Sequence, residues 1–442
     1  LRADRPPRFS AFSQGRVGEV FFLARRSLAL VAAFPAAQSA RFIGPLRSSQ
    51  PKVKGVSCLL TKLLTNMKIS GQEIRLFHAP GNPRNSEGAF ATLRDGRLLF
   101  VWSRFSGDSS SDHAPAALAA RLSSDGGRTW PRETERILVD NAGGCNVMSV
   151  SLLRLTDDRL ALFYLRKDSL EQCLPIVRYS TNDGQTWIDP IGIASWRGYY
   201  VVNNDRVIQL QSGRILIPAA WHRTLHRVET PSPSGIDGRG HFVVFYSDDG
   251  GMTWGEGPEQ WTLPLGSHAL QEPGLIERHD GSVVAWFRTT TGRQWWSQSY
   301  TRGETWSPPQ PWRFRSPCSP LSLKRIPRTG HWLAVWNDAA EAVRRWGADK
   351  RLIRGRVADR SWGRTPLVAA ISRNEGQTWS RPRILEATPD HGYCYTAIHF
   401  TDEAVLLAYC CGGGRTSHVL QDLKIRRIPL SWFYESAEGE TA

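Results

Sequence analysis

Little cysteine, no long apolar run and no metal-ligand spacing mark this chain, and each shortage excludes a class of protein. Its 442 residues include seven cysteines, at 58, 145, 173, 318, 394, 410 and 411. The number is odd and the spacing irregular, which argues against a disulfide framework and predicts reduced, mostly buried thiols. Adjacent Cys410 and Cys411 make no metal site by themselves, and no His/Cys group has zinc spacing. No metal site is expected from these residues. The most apolar leader-like stretch, "RRSLALVAAFPAAQSA" (25–40), is too short and too interrupted to span a membrane.

What the chain does have is charge, tryptophan and repetition. A formal charge of +15 first suggests an acidic partner such as nucleic acid. Residues 1–66 hold 11 Lys+Arg against 2 Asp+Glu, leaving 45 against 39, about +6, in the remainder. No nucleic-acid partner is therefore expected. The same 66 residues lack any strand rhythm, whereas "MKISGQEIRLF" opens sequence with one. Residues 1–66 are read as a disordered or non-native extension, Met67 as the natural start, and 67–442 as a single domain. On that reading the protein is cytoplasmic; if 25–40 acts as a secretory signal it is exported.

With 40% hydrophobic residues and 18 Trp, the chain can bury a large core. Two repeats organise it. One is an octapeptide of form Ser-x-Asp-x-Gly-x-Thr-Trp: "SSDGGRTW" (123–130), "STNDGQTW" (180–187), "SDDGGMTW" (247–254), "SYTRGETW" (299–306) and "SRNEGQTW" (372–379). The other is a polar turn running into an apolar strand, found six times: "RDGRLLFVW", "TDDRLALFY", "QSGRILIPA", "HDGSVVAWF", "RTGHWLAVW" and "TDEAVLLAY". A further strand-like run precedes each turn. Six units of roughly 60 residues, each of four strands, predict an all-β fold, a six-bladed β-propeller. The octapeptide is a structural turn, because Thr301 stands in the acid's place in one copy.

Strand direction then locates the chemistry. Both kinds of turn fall at one end of each unit, so polar residues opening the first strands and closing the second should gather at the other. Those positions hold Arg84, Arg104, Arg166, Arg206 and Arg288 with Glu87, Asp112, Asp168, Asp205, Glu272 and Tyr395. Arginine forks match carboxylates, so the cluster points to an anion site. His113, His222 and Cys318 lie at equivalent places, with polar rim or packing roles the default.

With these octapeptides and this ordered set, the chain resembles, over roughly 75–435, the exo-sialidase (neuraminidase) superfamily, in whose six-bladed propellers the octapeptides are called Asp-boxes. The resemblance implies three carboxylate-binding arginines, Arg84, Arg288 and Arg364. It implies Asp112 as acid/base, Glu272 as activator of a nucleophilic Tyr395 with Tyr393 as rival, and Arg104 flanking the pocket. Asp205 and Arg206 are further candidates for contact with the sugar. Two features depart from the family. The first arginine sits in "PRNSEG" rather than Arg-x-Pro, and the late glutamate that steadies it is missing near Cys410, leaving that task to Glu87. The implied activity is retaining hydrolysis of a sialylated or other acidic glycan, which requires neither a metal nor an organic cofactor. A non-catalytic propeller binding anionic glycans, and a hydrolase or lyase acting on uronic-acid glycans, are the alternatives.

Overall fold

Each polar turn reverses the chain between two apolar runs, and the runs pair as antiparallel hairpins. The computed structural model describes residues 71–225, 235–258, 260–346, 361–414 and 417–435. Expectations for 1–66, including the leader-like stretch and the start at Met67, lie outside the described residues. As expected, the fold is all-β, and among the described residues the α-helix is confined to Ala339–Trp346. That helix was not foreseen; Asp338 caps it, its carboxylate accepting from Ala340 N at 2.9 Å.

Among the described residues five hydrogen-bonded sheets result. Three are meanders of four consecutive strands. They are Asn85–Thr92, Leu98–Phe105, Ala116–Ser123 and Arg136–Val139; Gln271–Glu277, Val283–Arg288, Arg293–Ser299 and Gln310–Arg315; and Ser322–Arg325, Trp332–Asn337, Leu367–Ser372 and Arg383–Glu386. In a fourth sheet, Cys394–Phe400, Ala404–Cys410 and Leu423–Pro429 take the early strand Gln72–Leu76 as their edge. The nine-stranded fifth sheet holds the run Asn146–Arg154 to Ile191–Gly192 and the run Tyr199–Val201 to Gly255–Glu256. A parallel pairing of Tyr199 with Cys173 joins them.

Second strands are buried on both faces, which is why they read as continuous apolar runs. Between sheets the packing is aromatic, with Trp102, Trp286 and Trp332 at 2% exposure or less. Each such burial contributes on the order of 2–3 kcal/mol.

The octapeptides cap the third strands, each of which ends on the octapeptide's first serine, from Ser123 in the first copy to Ser372 in the last. That serine's Oγ accepts from the fifth-position glycine amide, at 3.0 Å for Gly127 and 2.8 Å for Gly251. The fourth and fifth residues are left-handed in every copy, as in Asp183 (φ 57°) and Gly184 (φ 77°). Glycine is required at the fifth because a Cβ there would enter the neighbouring unit, 2.8 Å from Leu406 at Gly127. The third side chain ties the loop: Asp249 accepts from Ser247 Oγ, Met252 N, Thr253 N and Thr253 Oγ1 at 2.6–3.0 Å. Thr301 does part of this work without charge, accepting from Thr305 N at 2.8 Å. The two turn types share one end of the molecule, where Arg94 N donates to Asp183 at 2.8 Å.

Candidate active site

At the other end lies a cavity of about 660 Å³, lined from the openings of first strands and the ends of second strands. A repeated backbone device builds it. The first strands slip register at Ser86/Ala89, Met148/Ser151, Gln271/Gly274 and Cys394/Ala397. Inside each slip sits one left-handed residue: Glu87 (φ 54°), Ser149 (φ 60°), Glu272 (φ 47°) and Tyr395 (φ 59°). All four line the cavity. Such bulges re-aim a side chain that a regular strand would point elsewhere, and strained backbone of this kind gathers at functional sites.

One wall carries Glu272, Tyr395, Arg288 and Arg364. The Tyr395 hydroxyl donates to Glu272 Oε1 at 2.9 Å and accepts from Arg288 Nη1 at 3.3 Å; Arg288 Nη1 also donates to Glu272 Oε1. The Arg364 guanidinium lies 5.4 Å from the Tyr395 ring centre. Burial alone would raise the Glu272 carboxyl, but Arg288, Arg364 and the Tyr395 hydrogen bond together hold the group below its ordinary range. Burial, reinforced by Glu272, pushes the Tyr395 phenol well above its ordinary value. An ionised base thus faces a neutral phenol. Glu272 Oε2 and Arg364 Nε have no hydrogen-bond partner among the described residues.

Behind these arginines stand thiols. Arg288 Nε donates to Cys318 Sγ at 3.1 Å and Arg364 Nη1 to Cys394 Sγ at 2.9 Å. Cys410 touches Ser86 Oγ at 3.3 Å.

Arg84 does not itself line the cavity; it is buried behind two residues that do, donating to Glu87 Oε1 at 3.0 Å and Asp112 Oδ1 at 2.5 Å. Glu87 also accepts from Ser149 Oγ. Desolvation works to raise the Asp112 carboxyl, but Arg84 and then Lys167 hold it well below the carboxylate range. Burial raises Glu87 despite Arg84.

Several expected residues lie elsewhere. Side chains alternate along a strand, so Ser103 and Phe105 face inward while Arg104 faces out and pairs with Glu135 at 3.5 Å. By the same parity Arg166 pairs with Asp168 at 3.2 Å, and Lys167, not singled out from sequence, enters the cavity instead. Asp205 is taken by Lys324 Nζ at 2.6 Å and Ile398 N at 2.8 Å. Arg206 donates to the Leu321 carbonyl at 2.7 Å and lies near Trp286; burial lowers it to about 10. Both serve links between strands of different sheets. Tyr393 is buried against Tyr409, away from the cavity. His113 and His222 do line it; His222 donates from Nδ1 to the Asp237 carbonyl at 2.7 Å. Ser149 and Tyr199 were also missed; the signal for Ser149 was its place after "CNVM", equivalent to Glu87 in "PRNSEG".

A BNR repeat-like domain model matches residues 134–407, more than half of the chain. The chain belongs to this family. No curated protein sequence matches the chain significantly. Among solved structures, a Dyadobacter fermentans protein of unknown function is similar at TM-score 0.60 and 16% identity, over 81% of this chain and 98% of that one. The Hadza microbial sialidase Hz136 aligns at TM-score 0.59 and 15% identity, covering 80% and 67%. Trypanosoma rangeli sialidase aligns at TM-score 0.58 and 14% identity, and the match spans 81% of this family member and 58% of the sialidase. At these identities the likeness is one of fold. Among the described residues no helix is long and apolar enough to cross a membrane, and no group of three or more His, Cys, Asp or Glu is disposed to hold a metal ion.

Proposed function

We propose that the protein is a retaining exo-α-sialidase, built as a six-bladed β-propeller and hydrolysing terminal sialic acid, or a related ulosonic acid, from glycoconjugates. Support for the propeller comes from the contacts between units. The strand Asn85–Thr92 touches both Asn146–Arg154 and Cys394–Phe400; Gln271–Glu277 touches Ile215–His222 and Ser322–Arg325; and Ser322–Arg325 touches Cys394–Phe400.

One observation carries the functional reading: Tyr395 Oη, Glu272 Oε1 and Arg288 Nη1 each bond to the other two, with Arg364 beside them. The anomeric carbon of a sialoside carries a carboxylate, and loss of the aglycone builds positive charge there. Arg288 and Arg364, with Arg84, fix the carboxylate and orient the ring. A carboxylate nucleophile would be repelled by the substrate's own charge. Tyr395 is neutral, and as its oxygen attacks, its proton passes to Glu272 Oε1, 2.9 Å away. Arg288, bonded to both, stabilises the negative charge as it moves. Asp112 protonates the leaving oxygen, then takes a proton from the water that releases the sugar, so configuration is retained.

Release of free sialic acid from an aryl α-sialoside, with retention at the anomeric centre by NMR, tests the reading. Clean, folded protein inactive on a panel of ulosonic glycosides would overturn it. An unsaturated product absorbing in the ultraviolet would move the assignment to a uronic-acid lyase.

A further inference from the structure

Arg84 has no donor to spare. Nη1 donates to Asp112 Oδ1 at 2.5 Å and to the Ser110 carbonyl at 3.3 Å; Nη2 donates to Ser86 Oγ at 3.2 Å and to Glu87 Oε1 at 3.0 Å. Among the described residues only Nε–H lacks a partner, and it is buried. The Phe105 ring covers the guanidinium at 4.5 Å. A third carboxylate can reach this arginine only by removing one of the groups already on it. Glu87 is buried and tied to Ser149, and Ser86 is buried. Asp112 is different: its side chain is 59% exposed and lines the cavity. Its backbone is anchored independently, because its carbonyl accepts from Lys167 Nζ at 2.8 Å and Asn146 Nδ2 at 2.9 Å. The side chain can turn away while the loop stays put.

We propose that Asp112 occupies the substrate's carboxylate seat on Arg84, and that a carboxylate sugar displaces it and leaves it protonated with a proton taken from solvent. The inference rests on the sialidase reading and adds a coupling to it: the ligand's charge arms the acid. Without ligand, Arg84 and Lys167 keep Asp112 ionised and unfit to donate a proton. With ligand, Arg84 is neutralised by the sugar carboxylate and a new negative charge lies nearby. The remaining groups around Asp112 are Lys167, Glu87, Tyr199, His113 and His418. Of these, Lys167 alone opposes protonation as a fixed cation; burial lowers both histidines below their ordinary range, and Glu87 favours it. No covalent bond changes; one proton moves from buffer to Asp112.

Calorimetric titration of the protein with the 2,3-unsaturated sialic acid analogue, in buffers of different ionisation enthalpy, counts that proton. The expected uptake rises toward one proton per ligand between pH 7 and pH 5. In Asp112→Asn the uptake should vanish and the analogue should bind about tenfold tighter, the worth of one charge-assisted contact no longer in competition. Binding without proton uptake across that range overturns the exchange and leaves the sialidase reading standing. Failure of folded protein to bind the analogue at all overturns both.

Discussion

Replacing Glu272 by Gln separates the bracing of Arg288 from the role proposed above, accepting the Tyr395 proton. The amide is isosteric, and its oxygen can keep both contacts, from Tyr395 Oη at 2.9 Å and from Arg288 Nη1. What goes is the charge. A charge-assisted bond worth about 1.5–3 kcal/mol becomes a neutral one worth about 0.5–1.5, so folding should lose about 1–2 kcal/mol. Against a total of about 5–15 kcal/mol the variant stays folded. The catalytic loss should be far larger, because an amide takes no proton. General-base help is worth about a hundredfold to ten-thousandfold, or roughly 3–5 kcal/mol of barrier. Urea denaturation and kcat/KM on an aryl α-sialoside measure the two effects on one preparation. Tyr395→Phe should be similarly impaired, and the double variant no worse than the weaker single, since the pair acts as a unit. A Glu272→Gln enzyme within threefold of wild type would refute the proton transfer and reduce Glu272 to a brace.

Other expectations concern the frame. Asp249→Ala strips four acceptor contacts from an exposed turn and should cost about 2–3 kcal/mol by urea midpoint, with kcat/KM unchanged; Thr301→Ala should cost about 1 kcal/mol. Hydrogen bonds from Thr253, its hydroxyl first, hold Asp249 below the ordinary carboxylate range. Its contribution is therefore complete above about pH 4 and lost as pH falls through the lower folded value, so the urea midpoint should drop in acid, less steeply in Asp249→Ala. A midpoint that rose on acidification would contradict this. Gly274→Ala would bring a Cβ within 2.2 Å of Trp286, whose indole is fixed to the Leu321 carbonyl at 2.8 Å. It should cost about 1–3 kcal/mol and lower kcat through Glu272 on the same bulge, whereas Gly96→Ala, in open space at φ 82°, should cost about 1–2 kcal/mol and leave kcat alone.

The turns were legible because their chemistry is local: a serine, an acid or amide, a glycine and a tryptophan at fixed offsets dictate their own geometry. The end of the molecule bearing the cavity followed from strand direction alone. Which side chains enter it did not, because a single extra residue in a strand reverses the parity of everything before it. Arg104 and Arg166 were placed by proximity to the strand end and face outward; Lys167, one step on, faces in. Tyr393 and Tyr395 differ by two residues and would share a face in a regular strand, yet the slip at Cys394/Ala397 brings only Tyr395 to Glu272. Arg364 became visible through resemblance, since it precedes a third strand rather than opening a first. Asp205 and Arg206 are charged residues spent on carbonyls and amides of neighbouring strands, a use no motif announces.

The four left-handed bulge residues work as interchangeable sockets. Glu87, Ser149, Glu272 and Tyr395 share one backbone conformation and one outlook on the cavity, yet they are a buried acid, a hydroxyl, a base and a phenol. The twisted backbone, about 1–2 kcal/mol at each, is a standing property of the strands and does not depend on which side chain is fitted. Chemistry in this fold can therefore be rewritten at four addresses without redrawing a single sheet, and a relative that shares every turn need not share the reaction.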